Sequence, residues 1–178
     1  NLYRLREVLS VIDRPDLKYP AFTPSVPAAL EVGDDDLFET IARQDILLHH
    51  PYQSFVPVLD FIRASALDPR VVAIKQTVYR TGAGSEVMQV LIDAARAGKE
   101  VTVVVELLAR FDEEANLKWA SQLEEVGAHV VYGVVGHKTH AKMALIVRRE
   151  TGPDGSVLRR YAHLGTGNYH SATARQYT

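Results

Sequence analysis

Val71-Val72-Ala73-Ile74-Lys75-Gln76-Thr77-Val78-Tyr79 and Val101-Thr102-Val103-Val104-Val105-Glu106-Leu107-Leu108 are two apolar, β-branched runs separated by a helical pattern. In that intervening pattern Ser85 offers a side-chain oxygen at a helix start, and Met88, Leu91, Ile92 and Ala95 recur on one helical face. Gly98 stands where a helix closes in the left-handed conformation. A strand, a helix and a second strand in this order predict a parallel βαβ unit, because parallel neighbours need a crossover of that length.

The pattern repeats outward in both directions. Asp112-Glu113-Glu114 opens a helix with an inward face of Ala115, Trp119, Leu123 and Val126, closed by Gly127, and Val130–Val135 follows as a strand. Ala141–Val147 and Leu158–Leu164 read as strands of an antiparallel hairpin joined through Thr151-Gly152-Pro153-Asp154-Gly155. Upstream, Asp34-Asp35-Asp36 caps a short helix (Leu37, Phe38, Ile41), Ile46-Leu47-Leu48 is a short strand, and Ser54 caps a helix facing inward through Phe55, Val58, Leu59 and Ile62. The predicted class is α/β, with a mixed, mostly parallel sheet and helices on both faces.

The lead-in differs in character. Leu2–Ile12 carries apolar residues at helical spacing, and Asp13–Pro27 holds Pro15, Pro20, Pro24 and Pro27, a density that forbids a continuous helix or a central strand. Residues 1–29 are therefore expected to be a helix end and linker from a preceding domain, and 30–178 the compact unit. A chain that begins at Asn1 and stops at Thr178 without a tail is expected to be a piece of a longer protein.

Composition narrows the function. With 178 residues, 47% hydrophobic, and a formal net charge of −2, bulk electrostatic binding to nucleic acid or anionic lipid is not expected. Any anion site must be a local basic cluster. Cysteine is absent, which excludes disulfides and thiolate–metal sites and fits a reducing compartment. No apolar run reaches the roughly 18–20 residues of a spanning helix.

In open α/β sheets ligands gather at the carboxyl ends of strands. Those ends here run into Tyr79-Arg80-Thr81-Gly82, into Arg110, into His49-His50, and into Gly165-Thr166-Gly167-Asn168. Either arginine alone reads equally well as a surface salt-bridge partner. His49-His50 reads better as a turn than as a ligand pair, and the glycine loop matches no dinucleotide fingerprint. Gly136-His137-Lys138-Thr139-His140-Ala141-Lys142 is different. In a strand His140 and Lys142 project to the same face, an imidazole beside an ammonium, and an anion between them resolves the repulsion. A neutral imidazole can attack phosphorus while the lysine offsets charge on the phosphoryl oxygens. His137 reads as structural or solvated, and no role follows from sequence for His49, His50 or His170.

His140-x-Lys142 with Gly165-Thr166-Gly167-Asn168 resembles half of a phospholipase D superfamily site, and implies that superfamily's layered sandwich. The superfamily's aspartate position holds Val147, which counts against a hydrolytic phosphodiesterase or nuclease. A longer resemblance is to the large bacterial polyphosphate kinases. It rests on Leu48-His49-His50-Pro51-Tyr52, Ile74-Lys75-Gln76-Thr77-Val78-Tyr79-Arg80, Ala109-Arg110-Phe111-Asp112-Glu113-Glu114, Lys138-Thr139-His140-Ala141-Lys142 and His163-Leu164-Gly165-Thr166-Gly167-Asn168-Tyr169, in that order. His170-Ser171-Ala172, in place of a more typical Asn-Pro-Lys, and His137 are departures.

This resemblance implies reversible transfer of the ATP γ-phosphate to polyphosphate through phosphorylated His140, with Lys142 at the same centre. It implies phosphate or nucleotide contacts from Arg80, Arg110, Asn168 and Tyr177. It also associates Arg80 and Arg110 with Mg²⁺; a guanidinium has no lone pair for a cation, so that association is expected to run through phosphate. A second catalytic domain and an N-terminal domain of the same polypeptide are implied, with a homo-oligomeric full-length protein and no nucleic-acid partner. A cytoplasmic location follows from the resemblance, with the inner membrane face as a peripheral one. Because only one His-x-Lys element is present, the chain alone is expected to lack kinase activity; a purely phosphate- or nucleotide-binding role is the non-catalytic alternative.

Overall fold

β1 (Val71–Val78) is the central strand of a five-stranded sheet. The computed structural model describes residues 5–31, 37–80, 84–106, 113–133, 136–171 and 173–175. The other strands are β2 (Glu100–Val105), β3 (His129–Tyr132), β4 (Lys142–Gly152) and β5 (Gly155–Gly165), in the spatial order β3-β2-β1-β4-β5. β1, β2 and β3 run parallel, while β4 is antiparallel to β1 and β5 to β4. The sheet is thus mixed, as expected: β1, β2, β3 and β5 run the same way and β4 alone runs against them, so parallel and antiparallel pairings are equal in number.

The described helices are α1 (Leu5–Val11), α2 (Leu37–Arg43), α3 (Val56–Leu67), α4 (Glu86–Arg96) and α5 (Glu113–Glu125). Local chemistry explains their ends. The Ser85 hydroxyl accepts the Met88 amide at 3.3 Å to start α4. Gly98 (φ 84°) and Gly127 (φ 83°) take the left-handed conformation after α4 and α5. At α3 the capping position is Phe55 rather than Ser54, whose hydroxyl accepts the Val56 amide at 3.1 Å. The Asp34–Asp36 cap expected for α2 lies outside the described residues.

The sequence reading placed helices on both faces of the sheet; the described helices gather on one. α3 packs on α4 and α4 on α5, while Phe38 of α2 meets Phe61 of α3 and Tyr161 of β5. The crossovers β1-α4-β2 and β2-α5-β3 step the same way, and right-handed crossovers stepping one way leave their helices on one side. β4 and β5 are joined by a tight hairpin, so no helix from that connection reaches the other face. The core lies under the helices, where Ile74, Met88, Leu91, Val103, Leu123 and Ile146 are all fully buried.

Ile46-Leu47-Leu48, expected as a strand, is irregular chain. Leu48 packs against the core while Leu47 is 88% exposed, so the apolar triplet needs no ladder partner to bury what it buries. Ser25 of the lead-in forms an isolated parallel bridge with Gln53. At the end of the sheet away from His140, buried Arg148 donates to Asp68 (2.8 Å) and Glu150 (3.0 Å). Burial pushes the Asp68 carboxyl up, but hydrogen bonds from Arg70 and Arg148 outweigh it and hold it at about 2.

Candidate active site

Strand direction decides what meets at one edge. β1, β2 and β5 end, and β4 begins, on the same side of the sheet. That edge carries Tyr79-Arg80 after β1, Glu106 after β2, His140-Ala141 before Lys142 of β4, and Thr166-Gly167-Asn168 after β5. Gly165 pairs with Lys142 in register, so the glycine-containing loop leaves the sheet beside the lysine.

The Tyr79 ring is the hub. His140 lies against it edge-on, with centroids 5.2 Å apart at 76°. Lys142 Nζ (5.1 Å), Arg80 Cζ (5.5 Å) and Lys138 Nζ (5.7 Å) all lie within cation–π range of its centroid. An electron-rich ring face holds three cations near one imidazole, although the cations repel one another. Among the described residues no carboxylate pairs with Lys138 or Lys142. An anion bound here would relieve that repulsion, and phosphate oxygens suit three such donors.

The two leading candidates therefore share a neighbour, though not quite as a strand would place them. β4 starts at Lys142, so His140 stands just before the strand rather than within it. The His140 side chain is exposed, whereas Lys142 is buried (6% exposed) and donates from Nζ to the His140 carbonyl at 2.6 Å. Burial pushes the Lys142 ammonium below its usual pKa. An exposed imidazole can act as a nucleophile, and a buried lysine beside it can offset charge on a transferred group.

Both neighbours of His140 are tied down. The Thr139 amide donates to Glu106 Oε2 at 2.7 Å. The Thr77 hydroxyl donates to the Ala141 carbonyl at 2.7 Å and accepts the Met143 amide at 2.9 Å. Asn116 of α5 joins the strand ends behind them, donating from Nδ2 to the carbonyls of Tyr79 and Glu106, each at 3.1 Å. Sequence reasoning passed over Thr77, Glu106 and the ring of Tyr79. Their signal was a threonine and a carboxylate at the ends of otherwise apolar runs.

Arg80 is at the hub, while Arg110 and Tyr177 lie outside the described residues. Asn168 sits in the turn after β5, where its carbonyl accepts the His170 amide at 2.7 Å. His49 and His50 form the expected turn: the His49 amide donates to Gln53 Oε1, and His50 Nδ1 lies 2.9 Å from the Gln53 carbonyl. They border a cavity of about 470 Å³ together with His163 and Thr166. His163 Nδ1 meets the Tyr169 hydroxyl at 2.7 Å, and burial, then nearby His50, pushes its pKa down to about 4.

Among the described residues no group of three or more His, Asp or Glu could hold a metal ion. The hub offers cations, and Glu106 is engaged with a backbone amide. No helix of the described residues is long and apolar enough to cross a membrane.

The comparisons with known proteins agree with one another. The family profile described as polyphosphate kinase C-terminal domain 1 matches residues 36–178. The chain is 64% identical over all 178 residues to the polyphosphate kinases of Burkholderia multivorans and Burkholderia lata, and spans 26% of the length of each. The crystal structure of polyphosphate kinase from Porphyromonas gingivalis matches with a TM-score of 0.69 and 36% identity, over 86% of this chain and 26% of that one. The chain thus spans about a quarter of the relatives it matches.

Proposed function

The chain belongs to the polyphosphate kinase family, and from that premise we propose that it carries the phosphate-accepting half of an ATP:polyphosphate phosphotransferase site, with His140 as nucleophile. The observation that carries this reading is the exposed imidazole of His140 against the Tyr79 ring, with three cations gathered on that ring.

In the first half-reaction an imidazole nitrogen of His140 attacks the γ-phosphorus. A P–N bond forms, the bond from γ-phosphorus to its bridging oxygen breaks, and that oxygen's electron pair leaves with ADP. In the second, the terminal oxygen of a polyphosphate chain attacks the same phosphorus and the P–N bond breaks, returning neutral His140. Every step runs in reverse. Such transfers need in-line positioning and charge neutralisation more than covalent ingenuity. Lys142, behind the imidazole, and Arg80, across the ring, would hold phosphoryl oxygens. Arg110, Asn168 and Tyr177 are proposed to contact phosphate or nucleotide. Mg²⁺ would arrive on the nucleotide's own phosphates, which suits a hub whose described side chains around Tyr79 are cationic.

The phosphodiesterase alternative needs a carboxylate at position 147. Val147 stands mid-strand between Ala73 and Arg160, which supports the kinase reading over it. The rest of the site is proposed to come from parts of the polypeptide outside residues 1–178, in a cytoplasmic homo-oligomer. The test uses the full-length protein and γ-labelled ATP. His140→Ala is expected to abolish acid-labile labelling of the folded protein, and persistent labelling would assign the nucleophile elsewhere.

A further inference from the structure

We propose that Glu106 is a positioning residue for phosphoryl transfer, fixing the main chain that carries His140 through its bond to the Thr139 amide. The inference rests on His140 being the nucleophile. It concerns a group that touches neither nucleotide nor phosphate in that reading.

Glu106 is 4% exposed, at the end of a strand that is otherwise valine and threonine beyond Glu100. A carboxylate in such a place is costly unless its oxygens are bonded. One of them, Oε2, takes the Thr139 amide at 2.7 Å, a charge-assisted length. Thr139 precedes His140 directly, in chain that belongs to neither a helix nor a strand. Such chain has no ladder to set its backbone, so the direction of the imidazole depends on tertiary bonds. Among the described residues, side chains from other strands or strand ends hold it on each side of His140, Glu106 at Thr139 and Thr77 at Ala141, while Lys142 holds the His140 carbonyl between them.

The two anchors differ in kind. Thr77 also takes the Met143 amide, so its bonds continue the pairing of β1 with β4 and stabilise the sheet as a whole. Glu106 acts at the edge, on the chain that leads into His140. Its own amide donates to the Val78 carbonyl at 3.0 Å, and its carbonyl is held by Asn116, so its main chain is fixed before the side chain reaches out. A rigid base under the reaching side chain sets a distance. In-line attack is sensitive to such distances: a shift of about 1 Å at the nucleophile costs up to roughly 100-fold in rate.

Reach and charge can be separated. Glu106→Gln keeps an acceptor oxygen at the same reach and removes the charge, whereas Glu106→Asp keeps the charge and draws the oxygen back by one methylene. In the full-length protein, the rate of acid-labile labelling by γ-labelled ATP is measured for wild type, both variants and His140→Ala, with folding checked by circular dichroism. Positioning predicts that Gln retains labelling within about threefold, while Asp loses about 10- to 100-fold in the maximal rate at little change in KM for ATP. Asp labelling as well as or better than Gln overturns the inference, because charge rather than reach would then be what matters. Loss in Asp confined to KM overturns it too. Wild type failing to label at His140 overturns the nucleophile assignment itself, a result distinct from either.

Discussion

The Lys142 ammonium donates to the carbonyl of His140 at 2.6 Å, so the buried cation is leashed to the backbone of the exposed imidazole beside it. One end of the pair is held in the protein and the other is offered to solvent. The bond also keeps the ammonium over the Tyr79 ring, where a phosphoryl group on His140 would meet it.

Replacing that cation should therefore slow chemistry more than binding. Lys142→Met, of similar length and without charge, is expected to lower the maximal rate of His140 labelling by about 10²-fold, the usual cost of losing one preorganised electrostatic partner. Single-turnover labelling at several ATP concentrations separates the rate from KM. An unchanged rate would remove Lys142 from the centre.

The ring of Tyr79 should matter and its hydroxyl should not. Three cation contacts at roughly 0.5 kcal/mol each amount to about a tenfold effect. Tyr79→Phe is expected to label like wild type and Tyr79→Leu about tenfold more slowly. Equal slowing in both variants would point to the hydroxyl instead.

Acid sensitivity should carry the signature of His163. Its folded pKa of about 4 lies below the ordinary 6.5, so the unfolded chain takes up the proton first as pH falls. Stability is then full above pH 6.5 and lost progressively down to about pH 4, by up to about 3 kcal/mol. Asp68, held at about 2 against 3.8, works in a separate window below that one. Denaturant unfolding at pH 7, 5.5 and 4 should show the first loss in wild type and a flatter profile in His163→Gln. A wild-type midpoint constant across this range would contradict the burial of a neutral imidazole.

The 178-residue chain should not make polyphosphate by itself. It spans 26% of its relatives' length and holds one His-x-Lys element. Incubation with ATP and a sensitive polyphosphate assay is expected to show no product. Synthesis by this chain would mean that one half of the site suffices.

Much of the architecture could be read from local chemistry. Ser85, Gly98 and Gly127 marked helix ends because caps and left-handed turns have short-range causes. The turn through Pro153-Asp154 announced the β4–β5 hairpin for the same reason. What escaped was set by contacts distant in sequence. No local pattern says that β4 inserts antiparallel beside β1, and only that pairing brings Thr77 to Ala141 and Met143. The same insertion lets Glu106 reach Thr139. His140 and Lys142 were legible as a pair, yet as neighbours in a strand. In fact the strand begins at the lysine, and the two meet through the Lys142 bond to the His140 carbonyl and over the Tyr79 ring.

The most direct measurement is the position of the phosphoryl group itself. Full-length protein is quenched after brief exposure to ATP, digested at alkaline pH to preserve P–N bonds, and mapped by fragment-ion mass spectrometry. The predicted result is one phosphoramidate within the peptide spanning residues 139–142, on the imidazole of His140. A phosphoryl group on His163 or any other residue, with His140 unmodified, would contradict the assignment.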